Sequence, residues 1–184
     1  MMISADLSNN IITALTGIDQ PGGINILWTT VCTYVMANAE VPFTWVGVST
    51  TTPPTPDPTV AFTAKINTAA GMTLTLPPTL KDASTAAEAM SIVSTAMNSA
   101  IARWTILFPA EQGFLISPVP VVPTPGVILT PSGADQQGPA MNLLSTQIIN
   151  GIKALQIPPN AFPGIHTIPI TYTGTAIYTP LTIY

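Results

Sequence analysis

Charge is what this sequence has least of. Lys, Arg, Asp and Glu together make up 7% of its 184 residues, against about 25% in an ordinary soluble protein. Four cations, Lys65, Lys81, Arg103 and Lys153, stand against eight acids, for a net charge of −4. Four scattered cations cannot neutralise a run of phosphates, which argues against direct nucleic-acid binding and against an anionic membrane surface. So little charge also means weak repulsion between copies. That suits a protein built into something larger and is a liability for a free monomer.

A single cysteine, Cys32, excludes an internal disulfide and reads as a small buried hydrophobe on a core-facing helical position. The single histidine, His166, stands in a loop leading into a strand, without an oriented partner for acid–base work. Two Cys or His residues cannot supply the ligands of a zinc site, and the acids are dispersed with no calcium-loop spacing. No Gly-x-Ser-x-Gly, dinucleotide-binding or phosphate-binding glycine motif occurs. The chain therefore reads as non-enzymatic, with no catalytic, metal or cofactor-binding residues. No uninterrupted apolar run reaches about 18 residues, so no membrane span is expected. The N-terminal MMISAD has neither the basic nor the apolar region of a secretory signal, which predicts synthesis in a cytoplasm.

What is present is 47% hydrophobic residues, set among Thr, Ser, Asn, Gln and Pro. That is enough for a buried core, and the pattern is α+β in a single domain over 1–184. Residues 1–48 read as a helical hairpin plus a strand. Ile3, Leu7, Ile11, Leu15 and Ile18 share one face of a helix over 3–18 capped by Ser4, and a break at 19–23 turns the chain. A second helix over 24–39 directs Leu27, Trp28, Val31, Cys32 and Val35 inward, and VPFTWVGV at 41–48 reads as a strand. Residues 49–81 are a Thr/Pro-rich β region: an extended linker, a strand over 60–66, a loop over 67–71 and an alternating strand over 72–76.

Residues 82–108 predict one long helix of roughly 40 Å. Ala86, Met90, Val93, Met97, Ile101, Trp104 and Phe108 form its apolar stripe, Thr85 to Glu88 has the form of a capping box, and Pro109 stops it. Its outer face, Ser91, Thr95 and Asn98, is neutral and is the expected seat of a neighbouring subunit. Residues 109–139 read as a proline-rich extended strap laid on another surface, since Pro118, Pro120, Pro123 and Pro125 each remove a ladder donor. Residues 140–184 hold a further helix over 140–155 and a C-terminal β arm. In that arm Ile168, Ile170, Tyr172, Ile177, Tyr178, Leu181, Ile183 and Tyr184 are the candidate contact residues. Pro169 and Pro180 make its strands edge strands, and Gly174 marks a turn or bulge.

One similarity is internal. VPFTWVGV at 41–48 matches IPITYTGT at 168–175, and the preceding helices share Leu-Ser and Ile-Ile at Leu7, Ser8, Ile11, Ile12 and at Leu144, Ser145, Ile148, Ile149. Two readings stay open: a duplicated helix-plus-strand contact device, or coincidence in a Thr/Pro/Ile-rich chain.

Residues 3–15 (ISADLSNNIITAL) and 22–39 (GGINILWTTVCTYVMANA) pair a short helical hairpin with a Leu-Trp step in the second helix, ahead of a Thr/Val-rich extended stretch. In this they resemble the N-terminus of small virion structural proteins of tailed bacteriophages. The resemblance spans residues 3–48; the long helix, the strap and the second helix-plus-strand unit depart from it. It implies a building block of the tail, neck or baseplate, located in the virion and partnered by copies of itself and other virion proteins, with no catalytic residues to carry over. Extended arms that add strands to neighbouring subunits would make the contacts and close them into rings or tubes. The alternative is a capsid decoration or receptor- or glycan-binding surface module, for which Tyr172, Tyr178 and Tyr184 are the aromatic candidates.

Overall fold

Apolar side chains spaced three and four apart fold the chain into helices α1 (Ser4–Leu15) and α2 (Gly23–Asn38). Leu7 and Ile11 are buried on the first; Leu27, Trp28, Val31, Cys32 and Val35 are buried on the second. The computed structural model describes residues 1–16, 22–48, 59–133, 137–157, 161–167 and 172–178. The two helices run with opposite polarity. At one end the Tyr34 hydroxyl accepts from the Ile3 N–H at 2.7 Å and donates to the Ile3 carbonyl at 3.0 Å. At the other, Leu15 lies against Gly23. The cap position of α1 is Ile3, which has no capping side chain, so Ser4 lies inside the helix instead of capping it.

Strands β1 (Glu40–Val48), β2 (Thr59–Asn67), β3 (Thr105–Leu107), β4 (Phe114–Leu115), β5 (Val119–Pro120), β6 (Ala161–His166) and β7 (Tyr172–Tyr178) make one antiparallel sheet in the order β4-β6-β7-β1-β2-β3-β5. Helices α3 (Ala86–Ile101) and α4 (Gln137–Lys153) complete the α+β architecture. Both edges of the sheet, β4 and β5, belong to one stretch, residues 114–120, and only three residues separate them. Three intervening residues span at most about 14 Å even when extended. A seven-stranded sheet whose two edges are that close must curl on itself. The interior confirms the curl: Phe62 of β2 and Phe114 of β4, four strands apart along the sheet, have ring centroids 4.0 Å apart.

All five phenylalanines of the chain, Phe43, Phe62, Phe108, Phe114 and Phe162, fill the inside of this curl with Trp45. A second core lies among the helices. There Trp28 and Trp104 stack at 5.8 Å, and the Trp28 indole N–H donates to the Gly71 carbonyl at 2.7 Å. Gly71 is wedged into this pair, since a Cβ on it would meet the Ala100 carbonyl and the Trp104 ring at 2.4 Å.

Glycine also sets the curvature of the sheet. Gly164, Gly174 and Gly47 are direct register partners across β6, β7 and β1. A Cβ on Gly174 would lie 2.4 Å from the Val46 carbonyl oxygen, and one on Gly164 would lie 2.5 Å from the Ile116 side chain. The bare row lets neighbouring strands and the strap approach closely. Gly174 is thus a mid-strand position, neither a turn nor a bulge.

The long helix is shorter than its apolar stripe predicts. α3 has 16 residues, about 24 Å. Its start is as expected in kind: the Thr85 hydroxyl accepts from the Glu88 N–H at 3.1 Å, while the Glu88 carboxylate reaches back to the Ser84 N–H at 2.8 Å, one residue before the cap. Its end comes early because residues 105–107 pair with 65–67 of β2. Trp104, Ile106 and Phe108 point inward with a period of two. Positions 104 and 108 satisfy both the helical and the strand period, so the stripe runs past the real boundary.

Three other expectations are corrected. Residues 72–76 keep their alternation, with Leu74 buried between exposed Thr73 and Thr75, but pair with no strand; residues 67–71 lead through a short 3-10 turn, Ala69–Gly71, toward α3. β7 is no edge strand: it lies between β6 and β1. β6 itself is absent from the sequence reading, because Pro163 and Gly164 at its centre hide it. Pro42 sits in β1 opposite Thr63 of β2.

Candidate interaction surface

The strap does lie on another surface. Beyond β5 its residues 126–130 pass over α3 and α4, held by side chains from both helices. The Asn98 amide donates to the Val127 carbonyl at 2.9 Å and accepts from the Val127 N–H at 2.8 Å, as a neighbouring strand would. The Ser94 hydroxyl accepts from the Leu129 N–H at 2.9 Å, and the Gln147 carbonyl oxygen accepts from the Thr130 N–H at 3.1 Å. Gly151 of α4 makes room, for a Cβ there would meet the Val127 Cα at 2.5 Å.

This placement sorts the expected contact residues. Asn98 is half-buried and engaged by the strap, so its amide serves the chain's own fold. Ser91 and Thr95 are exposed, and the Thr95 hydroxyl donates to the Ser91 carbonyl at 3.0 Å. Ile177 is exposed on the outer face of β7. Tyr172 and Tyr178 are the first and last residues of β7. Ile168, Ile170, Leu181, Ile183 and Tyr184 lie outside the described residues. The structure therefore separates the α3 face from the sheet face.

Residues missed by the sequence reading complete the sheet face. In an antiparallel ladder, directly opposed residues point to the same side. Leu115 opposes Ile165, Ile165 opposes Thr173, Pro163 and Val46 both oppose Thr175, and Thr44 opposes Ile177 and Ala61. These residues form one outward surface across β4, β6, β7, β1 and β2. It carries Val46, Leu115, Ile165 and Ile177 with 38%, 57%, 37% and 41% of their surface exposed. The available signal was the strict alternation of β1, whose even-numbered positions had to face away from Phe43 and Trp45.

Among the described residues, charge touches this surface at its helix-side end, where Lys65 and Glu40 pair at 2.9 Å. The Lys65 ammonium, by hydrogen bond and by charge, holds the Glu40 carboxyl below the ordinary carboxylate range. Both partners are half-exposed, which limits such a pair to about 0–1 kcal/mol. At α3 the Glu88 carboxyl is likewise lowered, by the Ser84 backbone N–H and then its hydroxyl.

Concavities offer little chemistry. A groove of about 560 Å³ opens between the four helices, bordered by Leu27, Met90, Val93, Met97, Met141 and other apolar side chains, with the Gln137 amide as its polar group. A second, of about 530 Å³, runs between α1 and α2 and is bordered by Asn10, Asn25, Thr29, Thr33 and Tyr34. Among the described residues no charged side chain borders either. Cys32 is buried, and that burial pushes its thiol up to about 12, so it stays protonated and unreactive at neutral pH. Among the described residues no group of three His, Cys, Asp or Glu could hold a metal ion, and no helix is long and apolar enough to cross a membrane.

The described parts of the two internally similar segments meet in space. β1 and β7 are paired neighbours, with the matched glycines Gly47 and Gly174 directly opposite, and α1 packs against α4. Comparison with protein-family models, curated proteins and solved structures finds no match.

Proposed function

We propose that this chain is a non-enzymatic building block of a bacteriophage virion, in its tail, neck or baseplate. The observation that carries the reading is the exterior. Across the outward faces of four helices and five strands most exposed side chains are Asn, Ser, Thr, Pro and aliphatics, and nine charged residues are spread over the described part of the molecule. A freely diffusing domain relies on charge for colloidal stability; a subunit covered by neighbours does not. The phage assignment adds to this the resemblance of residues 3–48 to small virion proteins. Helix packing and broad face contacts, with no reacting group, are what such a part requires.

The test is composition. Particles purified from the source that encodes the chain, and analysed by quantitative mass spectrometry, are expected to contain it at a fixed, multi-copy ratio to the other structural proteins. A chain found only in the soluble fraction, at no fixed ratio to any particle, contradicts the proposal.

A further inference from the structure

We infer that the seat on α3 and α4 also takes residues 126–130 of a second copy of this chain, so that two neighbouring copies exchange straps. The inference rests on the building-block reading and names the segment exchanged and the site that receives it. What the seat accepts is visible, because the chain's own strap occupies it. Recognition is aimed at the backbone: Asn98 clamps both the N–H and the carbonyl of Val127, Ser94 accepts from the Leu129 N–H, and Gln147 accepts from the Thr130 N–H. The Gln147 amide also donates to the Thr130 hydroxyl. Burial alternates along the segment, with Val127 and Leu129 buried and Ile128 and Thr130 exposed. Two glycines set the fit. Gly126 has φ +77°, and a Cβ there would lie 2.5 Å from the Asn98 Oδ1; Gly151 leaves room for the Val127 backbone. The seat therefore fits an extended segment that begins with a left-handed glycine and then alternates apolar-in, exposed-out. Residues 126–130 of a second copy meet each of these requirements.

The connections on either side allow the exchange. Val122 is tied to Gln156 by a two-way backbone pair, and α4 begins at Gln137. Residues 123–136 between these points, when extended, reach roughly 20 Å out and back. Pro123, Pro125 and Pro131 stiffen that arm and have no N–H, so they lose no backbone donor bond when it swings. The strap lies at the surface, with Ile128 63% exposed, and lifts without passing through either core. Every contact it gives up in its own chain is remade in the neighbour, which is why exchange of an identical element is a low-cost route to association. Copies packed side by side in a particle supply the proximity that completes it.

Gln147 and Thr130 face each other across the seat and give the direct test. One full-length variant carries Gln147→Cys and another Thr130→Cys, so neither holds both halves of the pair, and Cys32 is buried. The two are unfolded in urea, refolded together in equal amounts and treated with a short thiol cross-linker. They are expected to give at least about tenfold more covalent heterodimer than Gln147→Cys refolded with Thr33→Cys, because seating holds the two thiols at a millimolar effective concentration. Thr33 is exposed on α2, away from the seat. The double variant Gln147→Cys/Thr130→Cys, alone and dilute, is expected to close within one chain, which reports an intact seat. Heterodimer no more abundant than in the control mixture, while the double variant closes, overturns the inference. So does a double variant that fails to close, because the strap then does not occupy the seat. Either result leaves the virion reading standing, since that depends on the presence of the chain in particles.

Discussion

The helical half and the sheet half of this molecule avoid charge in different ways, and the difference separates a finished surface from an unfinished one. On the helices the hydroxyls are spent locally. Thr29, Thr30, Thr33, Thr95, Ser99 and Thr146 each donate to the carbonyl four residues earlier, at 2.8 to 3.0 Å. Such back-bonding leaves a polar exterior already satisfied within its own helix. On the sheet, threonines alternate with aliphatics, Val46, Leu115, Ile165 and Ile177, that are more than a third exposed. The interiors differ as well: a stacked tryptophan pair with a wedged glycine among the helices, a cluster of five phenylalanines inside the curl.

The widest break in this comparison comes from the glycine row. Gly174→Val should cost about 3 kcal/mol or more, because its Cβ has no space to occupy and the sheet must uncurl to make some. Urea denaturation measures it; a variant as stable as the wild type would show that the row does not set the curl. A smaller and more local effect is expected at Asn98, which joins the halves through the strap. Asn98→Ala leaves the N–H and carbonyl of buried Val127 without their Asn98 partner, a loss of about 2 kcal/mol. Hydrogen exchange should rise at Val127 and Leu129 while the β1 amides keep their protection. Equal acceleration in both places would mean that the strap and the sheet unfold as one unit.

The helical half was the legible half. Periodicity located α1, α2 and α4 to within about three residues, and Thr85 with Glu88 marked the start of α3. Where the sequence misled, two periods coincided or a breaker hid a strand. Trp104 and Phe108 fit helix and strand alike, and Pro163-Gly164 reads as a turn until β7 is laid beside it. The sheet order was out of reach, because it depends on pairings such as Phe114 with His166, 52 residues on, that no local pattern encodes. Among the candidate contact residues, the outward exposure of Ile177 was legible from its alternation. Asn98 was not, because nothing local announces that a strap 29 residues away will take its amide.

The central claim is that uncharged faces, not ion pairs, hold this protein to its neighbours. Salt discriminates between them. Light scattering on the wild-type chain in rising sodium chloride should show self-association unchanged, and in sodium sulfate strengthened, since screening has nothing to weaken and sulfate favours apolar burial. Dissociation as sodium chloride rises toward physiological strength would place the contact on the few charges the chain has and contradict the account.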